Sequence, residues 1–313
     1  MLSIVHKTTV SPLRVDRISM TYGCDIKVKE VMGLLSREGY AHRRHRQLYN
    51  FSLDVPLSKG SLLLQCDPWY STNAYFRCEF NPNSCYMPDV RGVLDAVLRW
   101  GYTGLLNHGR VTRIDLAVDV GVDIDSLLIS KPMTRRSGIY ANEMGELETY
   151  YLGSRTSPLC FAVYDKRAEQ ESKGSDMPTS AGPLTRIEAR LRPSTKWTLL
   201  PEEKNPFAKL LVTSYGAFGE PDAVTSLFLD SCRLRGAQMA LIELKKKDKD
   251  RWKKYSKMLK QHVSPWWDPD ALWEQLPSLL ASLEHPAGHS ELGERLRERY
   301  GGMYPDIESL KYG

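Results

Sequence analysis

Three short segments constrain this chain more than any other feature: Thr112–Val120 (TRIDLAVDV), Leu159–Lys166 (LCFAVYDK) and Leu184–Arg192 (LTRIEARLR). Each alternates residue types with a period of two. That period marks a β-strand, whose successive side chains point to opposite faces. In the first segment Arg113, Asp115, Ala117 and Asp119 share one face, against Ile114, Leu116 and Val118 on the other. In the third, Arg186, Glu188, Arg190 and Arg192 oppose Ile187, Ala189 and Leu191. In the second, Cys160, Ala162, Tyr164 and Lys166 fall together. A sheet with one apolar face and one face of carboxylates, arginines, a lysine and a tyrosine presents a site. The stretch Glu148–Glu169 supplies its middle as a hairpin. One strand ends at Tyr151, the turn runs through Gly153-Ser154-Arg155, and the second strand covers Leu159–Lys166.

The flanking sequence surrounds these strands with further elements. Lys27–Arg37 reads as a helix, Leu62–Asp67 and Tyr75–Asn81 as strands, and Asp89–Trp100 as a helix with Val90, Val93, Leu94, Val97 and Leu98 at helical spacing. A short helix is expected near Asp123. Lys131–Asn142 and the Gly/Ser-rich Glu169–Gly182 read as polar loops. After Pro193 the expectation is helical: Lys196–Leu200, Pro206–Tyr215, Asp222–Arg235, then one long amphipathic run over Ala237–His262. Arg77-x-Glu79 followed by Pro82 resembles Arg186-x-Glu188 followed by Pro193, which points to a duplicated strand-strand-helix unit with Glu79 in a structural role. The fold class expected is α+β: an antiparallel sheet with helices on one face, plus a helical C-terminal region. A chain of 313 residues accommodates two domains, placed at 1–195 and 196–313.

Composition narrows the functional classes. The formal net charge of +5 is compatible with a polyanionic partner. Basic residues gather at His42–Arg46 (HRRHR), a solvated face or a nucleic-acid contact. Its two histidines have no carboxylate beside them and do not read as metal ligands. Nine basic residues lie between Lys245 and Lys260; these serve either as a solvated helix face or as a track for phosphates. The interleaved Trp252, Tyr255, Trp266 and Trp267 either stack bases or pack the helix onto a core. Six cysteines with no CxxC pair read as reduced thiols, and no apolar run is long enough for a membrane span or a signal peptide. The expectation is a soluble cytoplasmic protein with no membrane partner.

Taken in order, RxDxAxD at Arg113–Asp119, YxGSRxS at Tyr151–Ser157, YDKxxE at Tyr164–Glu169 and RxExRxR at Arg186–Arg192 resemble the Rep_trans group of replication initiators. These are the rolling-circle initiators of small plasmids and filamentous phages, with related relaxases. The resemblance covers about Asp67–Arg192. It implies a sequence-specific DNA nickase and ligase that starts rolling-circle replication in a bacterial host through a covalent 5′-phosphotyrosine. It also implies origin DNA, both duplex and single-stranded, as partner, with a homodimer and a host helicase as further expected partners. The family's tyrosine lies in the YDK motif, which matches Tyr164. Tyr150 and Tyr151 are rivals, and only one of two adjacent strand residues can face the site.

The residue types suit that chemistry. A tyrosine hydroxyl with a pKa of about 10 is a weak nucleophile until neighbours activate it. Lys166, on the face of Tyr164, would lower that pKa or bind phosphate. Asp115 and Glu188 are the expected ligands of Mg²⁺ or Mn²⁺, cations that take few protein carboxylates and complete their shell with phosphate oxygens and water. Asp119 is a third candidate, although four strand residues span about 13 Å and keep it from sharing one ion with Asp115 on a flat strand. Arg113, Arg155, Arg186, Arg190 and Arg192 are candidate phosphate contacts through their planar forks. Lys245, Lys246, Lys249 and Lys253 are candidate duplex contacts. Three alternatives use the same residues: a salt-bridge ladder of these acids with the arginines, a non-catalytic DNA-binding regulator, and a metal-dependent phosphodiesterase with no covalent step.

Overall fold

The computed structural model describes residues 8–40, 48–131, 136–172, 174 and 182–303. The basic run His42–Arg46 lies outside the described residues. Eleven strands occur among those described: β1 (Arg14–Gly23), β2 (Tyr49–Pro56), β3 (Ser61–Pro68), β4 (Tyr75–Phe80), β5 (Arg110–Val120), β6 (Leu127–Ser130), β7 (Ser137–Ala141), β8 (Leu147–Leu152), β9 (Leu159–Asp165), β10 (Thr185–Leu191) and β11 (Leu211–Ser214). The α-helices are α1 (Ile26–Arg37), α2 (Met87–Val97), α3 (Gly101–His108), α4 (Lys166–Glu171), α5 (Ala223–Arg235), α6 (Ala237–Lys247), α7 (Lys249–Gln261), α8 (Pro269–Trp273), α9 (Leu276–Glu284) and α10 (Glu291–Tyr300). The α+β class with a large antiparallel sheet and a helical C-terminal region is what the chain adopts.

Two compact units emerge, and both draw residues from either side of position 195. One comprises Met1–Arg14, Leu116–Leu191 and Lys204–Leu276; the other Val15–Asp115, Arg192–Glu203 and Pro277–Gly313. In the second unit the strand order is β2-β3-β4-β1, followed by the first part of β5, and in the first unit it is β10-β9-β8-β7. A separate pair, β11-β6, lies in the first unit.

Local sequence explains most of these elements. In α1, Asp25 accepts from the Val28 backbone N–H, and Val28, Val31, Met32 and Leu35 form the buried stripe of an amphipathic helix. The β8–β9 hairpin turns at Gly153, whose φ of +106° is open to glycine, and a Cβ there would meet the Leu159 carbonyl at 2.9 Å. In the second unit, α2 and α10 approach so closely that a Cβ on Gly92 would sit 2.6 Å from the Gly293 Cα.

Several sequence expectations need correction. The strand expected through Lys166 ends at Asp165, because the Asp165 carboxylate accepts from the Arg167 and Ala168 N–H groups and caps α4. Part of the loop expected at Lys131–Asn142 is strand β7, paired with β8. Residues expected as helix within Pro206–Tyr215 include strand β11, paired with β6. The single long helix expected over Ala237–His262 is two helices. Asp248 leaves helical geometry between them and caps α7 through the Arg251 N–H. Helices α5–α7 enclose their own core, in which Phe228 stacks on Tyr255 with ring centroids 4.2 Å apart. Tyr255 and Trp267 are buried, and the Trp267 ring N–H donates to the Leu210 carbonyl at 3.0 Å, so these two aromatics pack rather than stack bases. Strands β1 and β2 and helix α3 were not anticipated.

Candidate active site

In the first unit, β9 carries the YDK tyrosine between β8 and β10. The β9–β10 register sets Tyr164 opposite Arg186 and Ala162 opposite Glu188. The β8–β9 register sets Thr149 opposite Tyr164 and Tyr151 opposite Ala162. Tyr151, Ala162 and Glu188 therefore lie in one row across three strands. The small Ala162 lies between the two larger residues of that row.

Glu188 is the centre of this arrangement. Its two oxygens accept from Arg190 Nε at 2.7 Å and Arg190 Nη2 at 3.2 Å, a forked pairing. Oε2 also accepts from the Tyr164 hydroxyl at 3.4 Å. The Lys166 ammonium lies 5.9 Å from the centre of the Tyr164 ring and pairs with Glu169 one helical turn on. Lys166 thus reaches the tyrosine from the start of α4 rather than from the strand face expected. Beside the tyrosine opens a cavity of about 380 Å³, whose walls include Tyr164, Tyr151, Arg190, Glu148 and Glu169.

The rival tyrosines separate cleanly. Tyr150 is buried, its hydroxyl has no hydrogen-bond partner among the described residues, and burial pushes its pKa upward, so it is neither reachable nor readily ionised. Tyr151 faces the site, and its ring has the guanidiniums of Arg155 at 5.5 Å and Arg190 at 5.6 Å. Tyr164 alone among the three places its hydroxyl on a carboxylate held by arginine.

The other candidate acids are held in the same manner. Asp119 takes Arg186 in a buried forked pair at 2.6 and 2.7 Å, with Arg14 at 3.8 Å. In the second unit, Asp115 takes Arg113 at 2.8 and 2.6 Å. Arg17 on β1 lies 3.8 Å from Asp115 and 3.0 Å from Glu79, while Arg77 pairs with both Glu79 and Gln65. Asp115 and Glu188, expected on an exposed face, are 1% and 5% exposed, because the guanidiniums cover them. Sequence reasoning missed Arg17 and Arg14. The alternation of Arg17, Ser19 and Thr21 with Ile18, Met20 and Tyr22 was the available signal for Arg17; Arg14 has the parity of the apolar set and carried none.

Mg²⁺ or Mn²⁺ was the expected cofactor, and the donor set tests that fit. Asp115, Asp119 and Glu188 each present both oxygens to one guanidinium. Among the described residues no three His, Cys, Asp or Glu side chains are grouped to hold a metal ion. As placed, each of these carboxylates is paired with a guanidinium, and a dication would have to compete with that arginine for the same oxygens.

Of the remaining candidates, Arg192 is half-buried just beyond β10. The lysines lie on two helices: Lys245 and Lys246 end α6, whereas Lys249 and Lys253 begin α7. All four are exposed. Lys246 lies 3.5 Å from Glu243, Lys253 3.6 Å from Asp250, and Lys245 sits 5.0 Å over the Trp252 ring. No helix among the described residues is long and apolar enough to cross a membrane.

No protein-family model matches the chain. Two curated relatives, both named replication initiation protein and both from Staphylococcus aureus, are 25% identical over 129 residues. That match spans 41% of this chain and 38% of the relatives' length, well under half of each. A solved structure of a rolling circle replication initiator protein from Geobacillus stearothermophilus aligns at 15% identity and a TM-score of 0.33, over 59% of this chain and 75% of that one. The kind of protein these relatives are named for is the kind the four sequence motifs resemble.

Proposed function

We propose that this chain is a rolling-circle replication initiator that nicks and rejoins origin DNA through a covalent link to Tyr164. The observation that carries the reading is the hydrogen bond from the Tyr164 hydroxyl to Glu188, a carboxylate gripped by Arg190 at the wall of an open cavity. The motif resemblance and the names of the relatives support the substrate class.

In this reading the phenol oxygen of Tyr164 attacks the scissile phosphorus while its proton passes to Glu188 Oε2. A new Tyr–O–P bond forms, the P–O3′ bond breaks, and the departing 3′ oxygen takes a proton from water. The 5′ phosphate stays on the protein, and the free 3′ hydroxyl is left to prime synthesis. Glu188 serves as general base: its Oε2 lies 3.4 Å from the hydroxyl, a separation that shortens to about 2.6–3.2 Å for proton transfer once substrate is bound. Arg190 and Arg155 supply positive charge for the phosphate oxygens, and Lys166 adds a cation beside the tyrosine ring. Rejoining reverses the steps, with Glu188 returning the proton. Since the carboxylates do not offer a ready cation site, no step is routed through a metal.

The test is a denaturing gel of the protein incubated with a labelled single-stranded oligonucleotide carrying the origin sequence. A labelled protein band that maps by mass spectrometry to the Tyr164 peptide supports the proposal. Strand cleavage with no protein-linked product would support a phosphodiesterase instead, and duplex binding with neither would support a regulator.

A further inference from the structure

In the first unit, the sheet face that carries Tyr164 continues outward to an aromatic side chain that the chemistry at Tyr164 does not use. Strand register places Tyr140 opposite Thr149, Thr149 opposite Tyr164, and Tyr164 opposite Arg186. Directly opposed residues of antiparallel strands share a face, so these four form one row across β7, β8, β9 and β10. The adjoining row is Gly138, Tyr151, Ala162 and Glu188. Neighbouring strands lie about 4.8 Å apart, which puts the Tyr140 backbone about 10 Å from that of Tyr164.

Tyr140 is 55% exposed, on the strand that ends the sheet order. Its ring is nevertheless seated. A Cβ added to Gly138 would lie 3.3 Å from the Tyr140 ring, so the ring leans back along β7 over a residue with no side chain to displace it. There it meets Tyr151 edge-on, with ring centroids 5.7 Å apart and planes at 89°. The Tyr151 ring in turn has the guanidiniums of Arg155 at 5.5 Å and Arg190 at 5.6 Å, and Tyr151, Arg190 and Tyr164 wall the same cavity. A ring held in this way has little freedom left to lose when a flat partner stacks on it. A strand with its phosphate at the Tyr164 hydroxyl has a neighbouring base within reach of Tyr140, and Arg155 and Arg190 supply the charge that its backbone requires. Aromatic faces beside cations are the combination by which proteins hold unpaired nucleic-acid strands.

We propose that Tyr140 stacks the base of a nucleotide adjoining the scissile phosphate, and so sets where along an unpaired strand the Tyr164 hydroxyl attacks. The proposal rests on the reading of Tyr164 as the residue that joins DNA; it adds the subsite that positions the strand there.

Two measurements separate the subsite from the chemistry. The first uses the full chain carrying Tyr164→Phe, so that binding is read without cleavage, and a labelled oligothymidylate in fluorescence polarisation. Adding Tyr140→Ala is expected to weaken binding about tenfold, the usual effect of removing one stacking ring, whereas adding Tyr140→Phe keeps it within about threefold. A duplex probe should lose far less, since its bases are already stacked. The second keeps Tyr164 and follows covalent adduct formation on single-stranded origin oligonucleotides in which one base at a time is removed to leave an abasic sugar. Loss of the base adjoining the cleaved phosphate should raise KM about tenfold, and that penalty should be absent in Tyr140→Ala, whose missing ring leaves nothing for the base to stack on. Penalties at other positions should match in the two proteins. A Tyr140→Ala protein with unchanged melting temperature that binds oligothymidylate within about twofold of its parent would overturn the proposal. So would equal losses on duplex and single strand, or an abasic penalty that persists without the ring; either result would leave the Tyr164 adduct standing. Absence of adduct from every oligonucleotide would instead overturn the reading of Tyr164 and the position claimed for the base, while the polarisation loss would still assign single-strand binding to Tyr140.

Discussion

The Tyr164 hydroxyl and Glu188 Oε2 lie 3.4 Å apart on adjacent antiparallel strands, two positions out of direct register. Tyr164 is paired with Arg186 and Glu188 with Ala162, so the two meet along a diagonal. That diagonal joins the Tyr164 hydroxyl to a carboxylate that Arg190 also grips, and it sets the first test of the proposed chemistry.

Tyr164→Phe removes one oxygen and nothing else. Covalent protein–DNA adduct is expected to vanish, while duplex affinity stays within about threefold, because phosphate contacts come from other side chains. Adduct yield on a denaturing gel checks the first expectation and fluorescence polarisation the second. Wild-type adduct yield from the Phe protein would sink the assignment.

The Glu188–Arg190 pair separates chemistry from stability. Glu188→Gln keeps the shape but loses the proton acceptor, and nicking should fall by about 10²–10⁴-fold with the fold intact. Arg190→Ala strands a buried carboxylate and should cost about 3–5 kcal/mol in urea unfolding. The double variant, with no charge left to strand, should recover a substantial part of that loss. A double variant as unstable as Arg190→Ala would show that Arg190 contributes through packing against Tyr151.

The Asp89 carboxyl in the second unit should shape the acid limb of stability. Burial pushes its pKa up, but the side chain and backbone of Ser58 and the side chain of Ser290 donate to it and outweigh that effect, leaving it below the ordinary value. A depressed folded pKa stabilises the protein above the unfolded value of about 3.9, and the contribution is lost as pH falls through the folded pKa. Melting temperature should therefore drop below about pH 4. Asp89→Asn should lower it at pH 7 and flatten the acid limb. An identical acid limb in the variant would remove Asp89 from the account.

The lysines of α6 and α7 are proposed duplex contacts. Replacing Lys245, Lys246, Lys249 and Lys253 with Gln should weaken duplex binding and reduce the slope of log affinity against log salt by about 3–4 units. Cleavage of a single-stranded origin oligonucleotide should persist. An unchanged slope would mean that these lysines are occupied by Glu243, Asp250 and the Trp252 ring alone.

Much of this protein was legible because strand geometry is local. Alternation at Arg113–Asp119 and Arg186–Arg192 was enough to place those residues on strands and to group their charged side chains on one face, since that grouping follows from the pleat alone. The turn at Gly153 and the helix over Val28–Leu35 follow from equally local rules. Which arginine meets which acid does not, because it depends on register between segments far apart in the chain. Asp119 and Arg186 are separated by 67 positions, Arg17 and Glu79 by 62, and no periodicity links them. Burial followed from that pairing: the acids expected in solvent lie beneath guanidiniums, because a charge can leave water only once its partner has arrived. Competition between local signals was equally beyond a linear reading. Asp165 could extend a strand or cap a helix, and the cap prevailed, moving Lys166 off the sheet. The choice between Tyr150 and Tyr151 came down to one residue of register, which only the pairing with β9 settled.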